Sequence, residues 1–236
     1  MIIPTPKKFR HEFKYYISYH EMIALRAKLV DFLNLDHHSI TEEGYNIRSV
    51  YFDSPFDHAL HDKNDGIFLR EKYRIRCYNN NPNFIRIERK SKFGDFIAKE
   101  SVLISHEQYE KILHGDYEWM KLLPESLVQD FYFALQYRHF KPTAIVDYWR
   151  EAYIYEEGNV RITFDKNLIS CINGFDLFDD RLTYESVLHP EQTILEVKFD
   201  QFLPSAIHHL IYLERFSRSS ISKYVLCREK TIQYFK

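Results

Sequence analysis

Alternation of apolar and polar residues is the commonest pattern along this chain of 236 residues. A two-residue period is typical of β-strands that bury one face. It predicts eight strands, so that strands are the main elements of the protein. They are expected near residues 8–17, 44–54, 67–79, 83–93, 96–104, 143–155, 160–168 and 191–199.

Helical patterns fill several of the gaps between these strands. Two of them, "SYHEMIALRAKLVDFL" and "SHEQYEKIL", begin at Ser18 and Ser105, and serine is a favoured N-cap residue. Others are an apolar run around 119–137 and the C-terminal segments "PSAIHHLIYLERF" and "SKYVLCREKTIQYF". Hairpin-joined strands with helices inserted between groups favour an α+β protein with a mainly antiparallel sheet. Eight antiparallel strands can close into a barrel with the helices packed outside.

The absence of several sequence signals limits the possible domain organisation and location. No Pro/Gly/Ser-rich linker or internal repeat divides the sequence, so we interpret residues 1–236 as a single domain. No stretch approaches 18 uninterrupted apolar residues, and the start lacks the apolar core of a signal peptide, so a cytoplasmic location is expected. Cys77, Cys171 and Cys227 form no C-x-x-C pair, which predicts reduced thiols and argues against a zinc site.

The formal net charge of −2 hides an uneven distribution. Residues 70–92 contain eight Lys/Arg and two acids, a segment charge of +6 that leaves −8 for the rest of the chain. A nucleic-acid-binding protein usually has a broadly basic domain. A concentrated basic element in a mildly acidic protein instead favours a compact anionic ligand, and no nucleic-acid partner is expected.

The charges also alternate with apolar residues, which places them on one face of each strand. "REKYRIRCY" contributes Arg70, Lys72, Arg74 and Arg76 in this way. The other strands contribute Arg10, Glu12 and Lys14; Arg86, Glu88 and Lys90; Tyr148 and Arg150; Arg161, Thr163 and Asp165; and Glu196 and Lys198.

Two interpretations of these charged faces are open. They are either solvated outer faces, which are common in antiparallel sheets, or the inner wall of a barrel whose apolar outer face the helices cover. The dominance of Arg and Lys favours the inner wall, because like charges opposite one another destabilise strand pairing unless an anion compensates them.

The ordered motifs then resemble a known family. "RHEFKYYIS", "SVYFDS", "REKYRIRCYN", "RIERKSKFGDFIAKES", "DYWREAY", "VRITFD", "ILEVKFD" and "SSISKY" resemble, over roughly residues 8–230, the polyphosphate polymerase domain of the vacuolar transporter chaperone (VTC) complex in its bacterial relatives. That domain is a triphosphate tunnel metalloenzyme of the CYTH superfamily, in which an eight-stranded antiparallel barrel holds a triphosphate among inward Arg and Lys. The resemblance implies a metal-dependent phosphotransferase that moves the γ-phosphoryl group of ATP onto a growing polyphosphate.

The resemblance also implies roles for individual residues. The basic residues implied to act in catalysis are Lys14, Arg74, Arg76, Lys90, Arg161 and Lys223. Those implied to bind substrate are Arg10, Arg86, Lys99, Tyr148, Arg150, Lys198 and Ser222. Glu196, Glu88 and Glu12 are implied to hold Mn²⁺ or Mg²⁺. The implied partners are ATP or triphosphate, polyphosphate and a separate membrane partner.

One departure and several alternatives qualify this assignment. Related triphosphatases carry E-x-E-x-K on the first strand, and here Arg10 replaces the first glutamate, which weakens a hydrolase interpretation. Glu88 is either a metal ligand or a counter-ion to Arg86 or Arg74. Arg70 and Lys72 either belong to the site or face solvent. Two functions stay open beside the polymerase: an inorganic or nucleoside triphosphatase in the same tunnel, and a non-catalytic module that binds triphosphate or polyphosphate.

Minor features carry less weight. Ser222 is a plausible N-cap for the last helix, in addition to its implied contact with substrate. The pairs His37-His38 and His208-His209 lack the spacing of metal ligands.

Overall fold

The computed structural model describes residues 10–234 except 37, 40, 42, 94 and 95. Ten strands lie in this part of the chain. They are β1 (His11–Ser18), β2 (Asn34–Leu35), β3 (Tyr45–Asp53), β4 (Leu69–Tyr78), β5 (Ile85–Phe93), β6 (Phe96–Ile104), β7 (Lys141–Tyr155), β8 (Val160–Cys171), β9 (Tyr184–Ser186) and β10 (Gln192–Phe199).

Six α-helices and three short 3₁₀ turns lie in the same residues. The helices are α1 (Tyr19–Leu29), α2 (His58–Asn64), α3 (His106–Leu113), α4 (Ser126–Tyr137), α5 (Ser205–Ile211) and α6 (Lys223–Ile232). The 3₁₀ turns are Glu118–Leu122, Glu157–Asn159 and Leu213–Arg215.

The eight predicted strands are confirmed, within a few residues at their ends, as β1, β3 to β8 and β10. Residues 8 and 9 of the first predicted strand lie outside the described residues. Three elements were missed. β2 and β9 are too short to show a two-residue period. The seven-residue α2, "HALHDKN", has no regular apolar spacing and follows Asp57, whose φ of +52° is left-handed.

Both predicted serine caps are confirmed, and each forms a capping box. The Ser18 hydroxyl accepts a hydrogen bond from the backbone N–H of Glu21, while the Glu21 carboxylate accepts one from the backbone N–H of Ser18. Ser105 and Gln108 repeat the arrangement at α3. Each reciprocal pair satisfies two N–H groups that the first helical turn would otherwise leave without a partner.

The chain divides into two compact units. Unit 1 contains the described part of 1–46, Tyr148–Leu168 and Leu188–Ser222. Unit 2 contains Ile47–Asp147, Ile169–Val187 and the described part of 223–236. The strands β7 and β8 each contribute residues to both units. The interpretation of the chain as a single domain stays a prediction.

In unit 1 the strand order is β1-β10-β8-β7, and β2 pairs with β7. The apolar side of these strands forms a core that includes Leu195 and Val197. Helix α1 covers it with Met22, Leu25 and Leu29, which are buried at successive turns of the helix. Burial of this apolar surface is the main stabilising contribution of the unit.

In unit 2 the strand order is β7-β3-β4-β5-β6, and β9 pairs with β8. Tyr73, Ile75 and Ile87 lie on the apolar side of β4 and β5 and are fully buried. Helix α4 packs on this side, where the ring of Phe131 stacks on Tyr73 with 5.2 Å between centroids. In both units the apolar face of the sheet is therefore the one that a helix covers.

The α+β class, with antiparallel strand pairs and helices packed outside them, is confirmed. In the described part of the chain, no helix combines the length and apolar character that a membrane crossing needs. The three cysteines are buried thiols. Burial raises the pKa of Cys77 to about 12, so this thiol stays protonated and unreactive at neutral pH.

Candidate functional site

Strands β4, β5 and β6 of unit 2 carry five of the eleven predicted basic site residues on the face opposite the apolar core. Alternation along each strand and the register between strands bring them together. We call this surface the cationic face. It consists of Arg70, Lys72, Arg74, Arg76, Arg86, Glu88, Lys90, Lys92 and Lys99.

The cationic face is built of rows that run across the strands. Lys72 lies opposite Lys90, which lies opposite Lys99, so that three lysines form one row. Residues directly opposite one another on adjacent strands have Cβ atoms about 5 Å apart, and like charges at that separation destabilise the pairing. The flanking rows are Arg70–Lys92, Arg74–Glu88 and Arg76–Arg86.

Glu88 is the single acid of this face and is 1% exposed. Its carboxylate lies 2.6 Å from Arg74 Nη2, 3.8 Å from Arg76 Nη1 and 2.5 Å from Lys99 Nζ. Burial would raise the pKa of Glu88, but the charges of Arg74, Arg76 and Lys99 outweigh it and hold the pKa far below its usual range. Of the two roles left open for Glu88, this geometry favours that of counter-ion.

Strand β3, which pairs with β4, contacts Arg74 and Arg76. Tyr51 lies opposite Arg74, and Arg74 Nη1 donates to the Tyr51 hydroxyl at 2.7 Å. Ser49 lies opposite Arg76, and Arg76 Nε donates to the Ser49 hydroxyl at 3.0 Å. Sequence reasoning missed both partners. The alternation of Ser49, Tyr51 and Asp53 in "RSVYFDS" was the signal that could have revealed them.

A second missed group lies on α6. The ring of Tyr224 stacks on that of Tyr51, with 5.0 Å between centroids, and its hydroxyl donates to the buried Asp53 at 2.6 Å. Lys72 Nζ lies 4.8 Å from the centroid of the same ring. α6 begins with Lys223, directly after Ser222, so the two predicted site residues of the C-terminal segment immediately precede Tyr224 in the sequence.

Unit 1 carries the other predicted residues on strands β1, β10, β8 and β7. Lys14 lies opposite Glu196, which lies opposite Thr163, and the neighbouring row is Glu12, Lys198 and Arg161. We call this surface the mixed-charge face. It consists of Glu12, Lys14, Tyr148, Arg150, Arg161, Thr163, Asp165, Glu196 and Lys198.

Ion pairs within the mixed-charge face neutralise most of its charge. Arg150 and Asp165, both buried, form a two-pronged pair with distances of 2.6 and 2.7 Å. Lys198 Nζ lies 2.5 Å from Glu196 Oε1, and Arg150 Nη2 lies 3.7 Å from Glu196 Oε2. Burial would lower the pKa of Arg150, but Asp165 outweighs it and the pKa is raised.

Lys14 and Glu12 form a further pair, with 2.8 Å between Nζ and Oε1, and Lys14 also donates to the backbone carbonyl of Ile221 at 3.0 Å. Burial would lower the pKa of Lys14, but the negative charges of Glu12 and Glu196 raise it. Lys14 therefore stays charged throughout the physiological pH range.

Thr163 was placed on this face by the alternation but given no role. Its hydroxyl oxygen is buried and has no hydrogen-bond partner, and the residue opposite it is Glu196. A buried polar atom in this state costs free energy, so an orphaned hydroxyl marks a place where a ligand would be favourable. Within the described residues, no group of three or more acidic, His or Cys side chains converges as a ready-made metal site.

The remaining predicted residues have local partners. Arg161 donates to Asp36 at 2.6 Å and to the Tyr45 hydroxyl at 2.8 Å. Arg10 precedes β1 and pairs with Asp200 at 3.1 Å. His208 pairs with Glu214, whereas His37 lies outside the described residues.

On the cationic face, Arg86 is half-buried and donates to the Ser101 hydroxyl at 3.3 Å. Arg70 and Lys72 are half-buried too and share the parity of Arg74 and Arg76, so the geometry does not favour the solvent-facing alternative. The catalytic, substrate-binding and metal-holding roles of the site residues stay predictions.

Known protein families and solved structures resemble this chain. Residues 9–232 match the VTC domain family. No curated protein sequence matches the chain significantly. Among solved structures, a candidate adenylyl cyclase from Hippeastrum, described as having a dominant triphosphatase activity, is similar with a TM-score of 0.54 and 14% identity over 94% of this chain and 96% of that chain.

A candidate adenylate cyclase from Bacillus halodurans has a TM-score of 0.53 and 15% identity, over 92% of this chain and 96% of that chain. At this level of identity the likeness concerns the fold. The family match covers nearly the whole described part of the chain. The chain therefore belongs to the VTC domain family and shares the fold of these two solved structures.

Proposed function

We propose that this protein is a polyphosphate polymerase that transfers the γ-phosphoryl group of ATP to the end of a polyphosphate chain. One observation carries the proposal beyond family membership: the cationic face places eight cations around a single acid in four successive rows. From Arg70 to Arg76 these rows span about 20 Å of extended strand. Such a strip suits a linear polyanion of many phosphates better than one compact anion.

Phosphoryl transfer needs little covalent help from a protein. Its transition state is loose, negative charge spreads over the phosphoryl oxygens, and catalysis rests on positioning and electrostatic stabilisation. The planar guanidinium groups of Arg74 and Arg76 suit two-pronged contacts with phosphate oxygens. Tyr51 and Ser49 hold these guanidinium groups in place, so little reorganisation is needed when phosphate arrives.

In the proposed reaction, a terminal oxygen of polyphosphate forms a bond to the γ-phosphorus of ATP. The bond between that phosphorus and the bridging oxygen of the β-phosphate breaks, and ADP leaves with the electron pair. The acceptor oxygen is already anionic, so the step requires no strong general base. The lysines Lys90 and Lys99 add point charges beside the two arginines.

A divalent cation, Mn²⁺ or Mg²⁺, fits the donors on the mixed-charge face. Glu196 and the orphaned hydroxyl of Thr163 are hard oxygen donors opposite each other in register. Mg²⁺ sites commonly use one or two carboxylates and complete their shell with substrate phosphate and water, so a three-acid cluster is not required. When bound, the ion would supply positive charge to the phosphate oxygens that complete its shell. We assign Glu196 to hold it, with Glu12 in the neighbouring row.

A triphosphatase is the second candidate, because the Hippeastrum protein with this fold is described as having triphosphatase activity. A hydrolase must orient a water molecule in place of the polyphosphate end. In this chain Arg10 replaces an acid of the triphosphatase motif and pairs with Asp200, which favours the polymerase.

The test is incubation of the purified protein with ATP and Mn²⁺, with products resolved by gel electrophoresis and ³¹P NMR. The proposal predicts long-chain polyphosphate and ADP, both lost in Glu196→Ala and Arg74→Ala. Arg138→Ala is a matched control, since Arg138 lies in unit 2 outside the cationic face and is half-exposed.

The other outcomes separate the alternatives. Orthophosphate without chains would replace the polymerase with the triphosphatase. Tight triphosphate binding without turnover, with or without Mn²⁺, would leave only the non-catalytic binding module.

A further inference from the structure

The row of three lysines on the cationic face lies beside the row that contains Arg74 and Glu88. Lys72, Lys90 and Lys99 occupy consecutive strands directly opposite one another. Glu88 pairs with Lys99 at one end of the row and with Arg74 in the next row. Lys72 lies at the other end, beneath the ring of Tyr224.

The surroundings of Lys72 combine burial with repulsion. The charged groups that act on it are Arg70 on its own strand, Lys90 on β5, Lys63 on α2 and Asp53 on β3. Tyr224 of α6 covers the ammonium group, and its hydroxyl is engaged by Asp53. Burial, together with the positive charges of Arg70, Lys90 and Lys63, lowers the pKa of Lys72 to about 7, while Asp53 opposes them.

A phosphate oxygen bound above this row would turn the net electrostatic repulsion among the lysines into attraction. It would place negative charge beside three ammonium groups that otherwise repel one another. Because Tyr224 already orders the Lys72 side chain, little conformational entropy would be lost on contact.

We propose that Lys72 joins Lys90 and Lys99 in one phosphate subsite of the cationic face, and that Lys72 takes up a proton when a phosphate group of the substrate or product binds there. The inference rests on the proposed function, since it assigns part of the same surface. It makes Lys72 a substrate-binding residue and couples the affinity for the polyanion to pH.

The direction of the pH dependence follows from the protonation equilibrium of Lys72. With a pKa of about 7, about nine tenths of the Lys72 side chains are neutral at pH 8 and about one tenth at pH 6. A bound phosphate favours the charged form. Binding therefore draws about 0.9 proton onto Lys72 at pH 8 and about 0.1 at pH 6.

Isothermal titration calorimetry of the full chain with inorganic tripolyphosphate measures this uptake. Titrations at pH 6 and pH 8, each in two buffers of different ionisation enthalpy, give the number of protons exchanged. Lys72→Arg is the decisive variant, because arginine stays charged at both pH values. Tripolyphosphate contributes its own protonation to both proteins, and so does Lys99, whose pKa burial lowers to about 8. The difference between wild type and Lys72→Arg therefore isolates Lys72.

Two further variants guard against misfolding and unspecific charge effects. Lys72→Met removes the charge with a side chain of similar length, and it should weaken binding at pH 6 severalfold. Lys111→Met removes an exposed lysine of α3 that pairs with Glu107 and should change neither affinity nor proton uptake. Circular dichroism and a thermal melt of each variant establish that it is folded.

The expected result is a difference of about 0.9 proton between wild type and Lys72→Arg at pH 8 that nearly vanishes at pH 6. Equal proton exchange by both proteins at pH 8, with tripolyphosphate binding intact, would overturn the subsite while leaving the proposed function standing. Absence of tripolyphosphate binding by the wild-type protein at both pH values would overturn both.

Discussion

The two charged faces are built alike and balanced differently. On the mixed-charge face most cations have an acid beside them, as where Lys14 lies opposite Glu196, although Lys198 also lies opposite Arg161. On the cationic face, lysine lies opposite lysine and arginine opposite arginine, with Glu88 as the one acid. Where residues of opposite charge lie opposite each other, two paired strands neutralise their own charges. Where residues of like charge lie opposite each other, a positive potential remains that a bound anion must compensate.

This difference separates what stabilises the protein from what binds its ligand. The Arg150–Asp165 pair on the mixed-charge face is buried and complete within the protein. Glu88 on the cationic face is shared among three cations, so the surface retains an excess of positive charge. We therefore expect perturbations of the first face to appear as lost stability, and perturbations of the second to depend on phosphate.

The largest effect is expected for Asp165→Asn, which breaks the buried pair on the mixed-charge face and leaves Arg150 without its two-pronged partner. Loss of one partner of such a pair typically costs about 3–5 kcal/mol of unfolding free energy. Urea denaturation measures it, and 1 mM tripolyphosphate should recover little of the loss. Full recovery by tripolyphosphate would contradict the assignment of this pair to structure.

Glu88→Gln should destabilise the protein by a smaller amount, about 2–3 kcal/mol, because Arg74 and Arg76 keep Tyr51 and Ser49 as partners. Here tripolyphosphate should restore much of the loss, since it supplies the negative charge that Glu88 provided. A thermal-shift titration compares the two proteins. If tripolyphosphate raised the melting temperature of wild type more than that of Glu88→Gln, the counter-ion role would be wrong.

The row Arg70–Lys92 at the edge of the cationic face allows a test with polyphosphates of different chain length. Replacing Arg70 and Lys92 together with glutamine should weaken binding of long-chain polyphosphate about fivefold, the equivalent of about 1 kcal/mol. Tripolyphosphate binding should change less, because three phosphates cover fewer rows. Fluorescence anisotropy with labelled chains of two lengths makes the measurement. Equal losses for both lengths would argue against a strip that follows the chain.

Glu88 also affects stability in acid. The pKa of Glu88 is depressed in the folded protein, so its stabilising contribution is complete above the ordinary pKa of a glutamate and is lost as pH falls below about 4.5 toward the folded value. Glu88→Gln should therefore flatten the stability profile in that range. Equilibrium denaturation of both proteins between pH 3 and pH 7 tests it, and parallel profiles would refute the depressed pKa.

Much of the fold could be predicted from the alternation of apolar and polar residues. A two-residue period identifies strands and assigns side chains to faces. It places Arg74 and Arg76 on the charged face, and the intervening Tyr73 and Ile75 on the opposite face, where they are buried. The capping serines were equally local signals. β2, β9 and α2 were missed because elements of two, three and seven residues contain too little periodicity.

The residues that lie opposite each other on neighbouring strands were harder to predict, because strand register depends on pairings that a single sequence does not reveal. Alternation gave Lys72 and Lys90 the correct faces but could not show that they lie opposite each other. The same limit hid the contact of Tyr224 with Lys72, which joins segments more than 150 residues apart. Glu88 was assigned two roles for this reason, since only its neighbours distinguish a counter-ion from a metal ligand.

The measurement that tests the account most directly is the affinity of the purified protein for inorganic tripolyphosphate, by calorimetry, in wild type, Arg74→Ala and Arg138→Ala. Hydrogen bonds to charged groups contribute about 1.5–3 kcal/mol, so Arg74→Ala should bind roughly 10- to 150-fold more weakly. Arg138→Ala should bind like wild type. Equal affinity in all three proteins would show that the cationic face is not where phosphate binds.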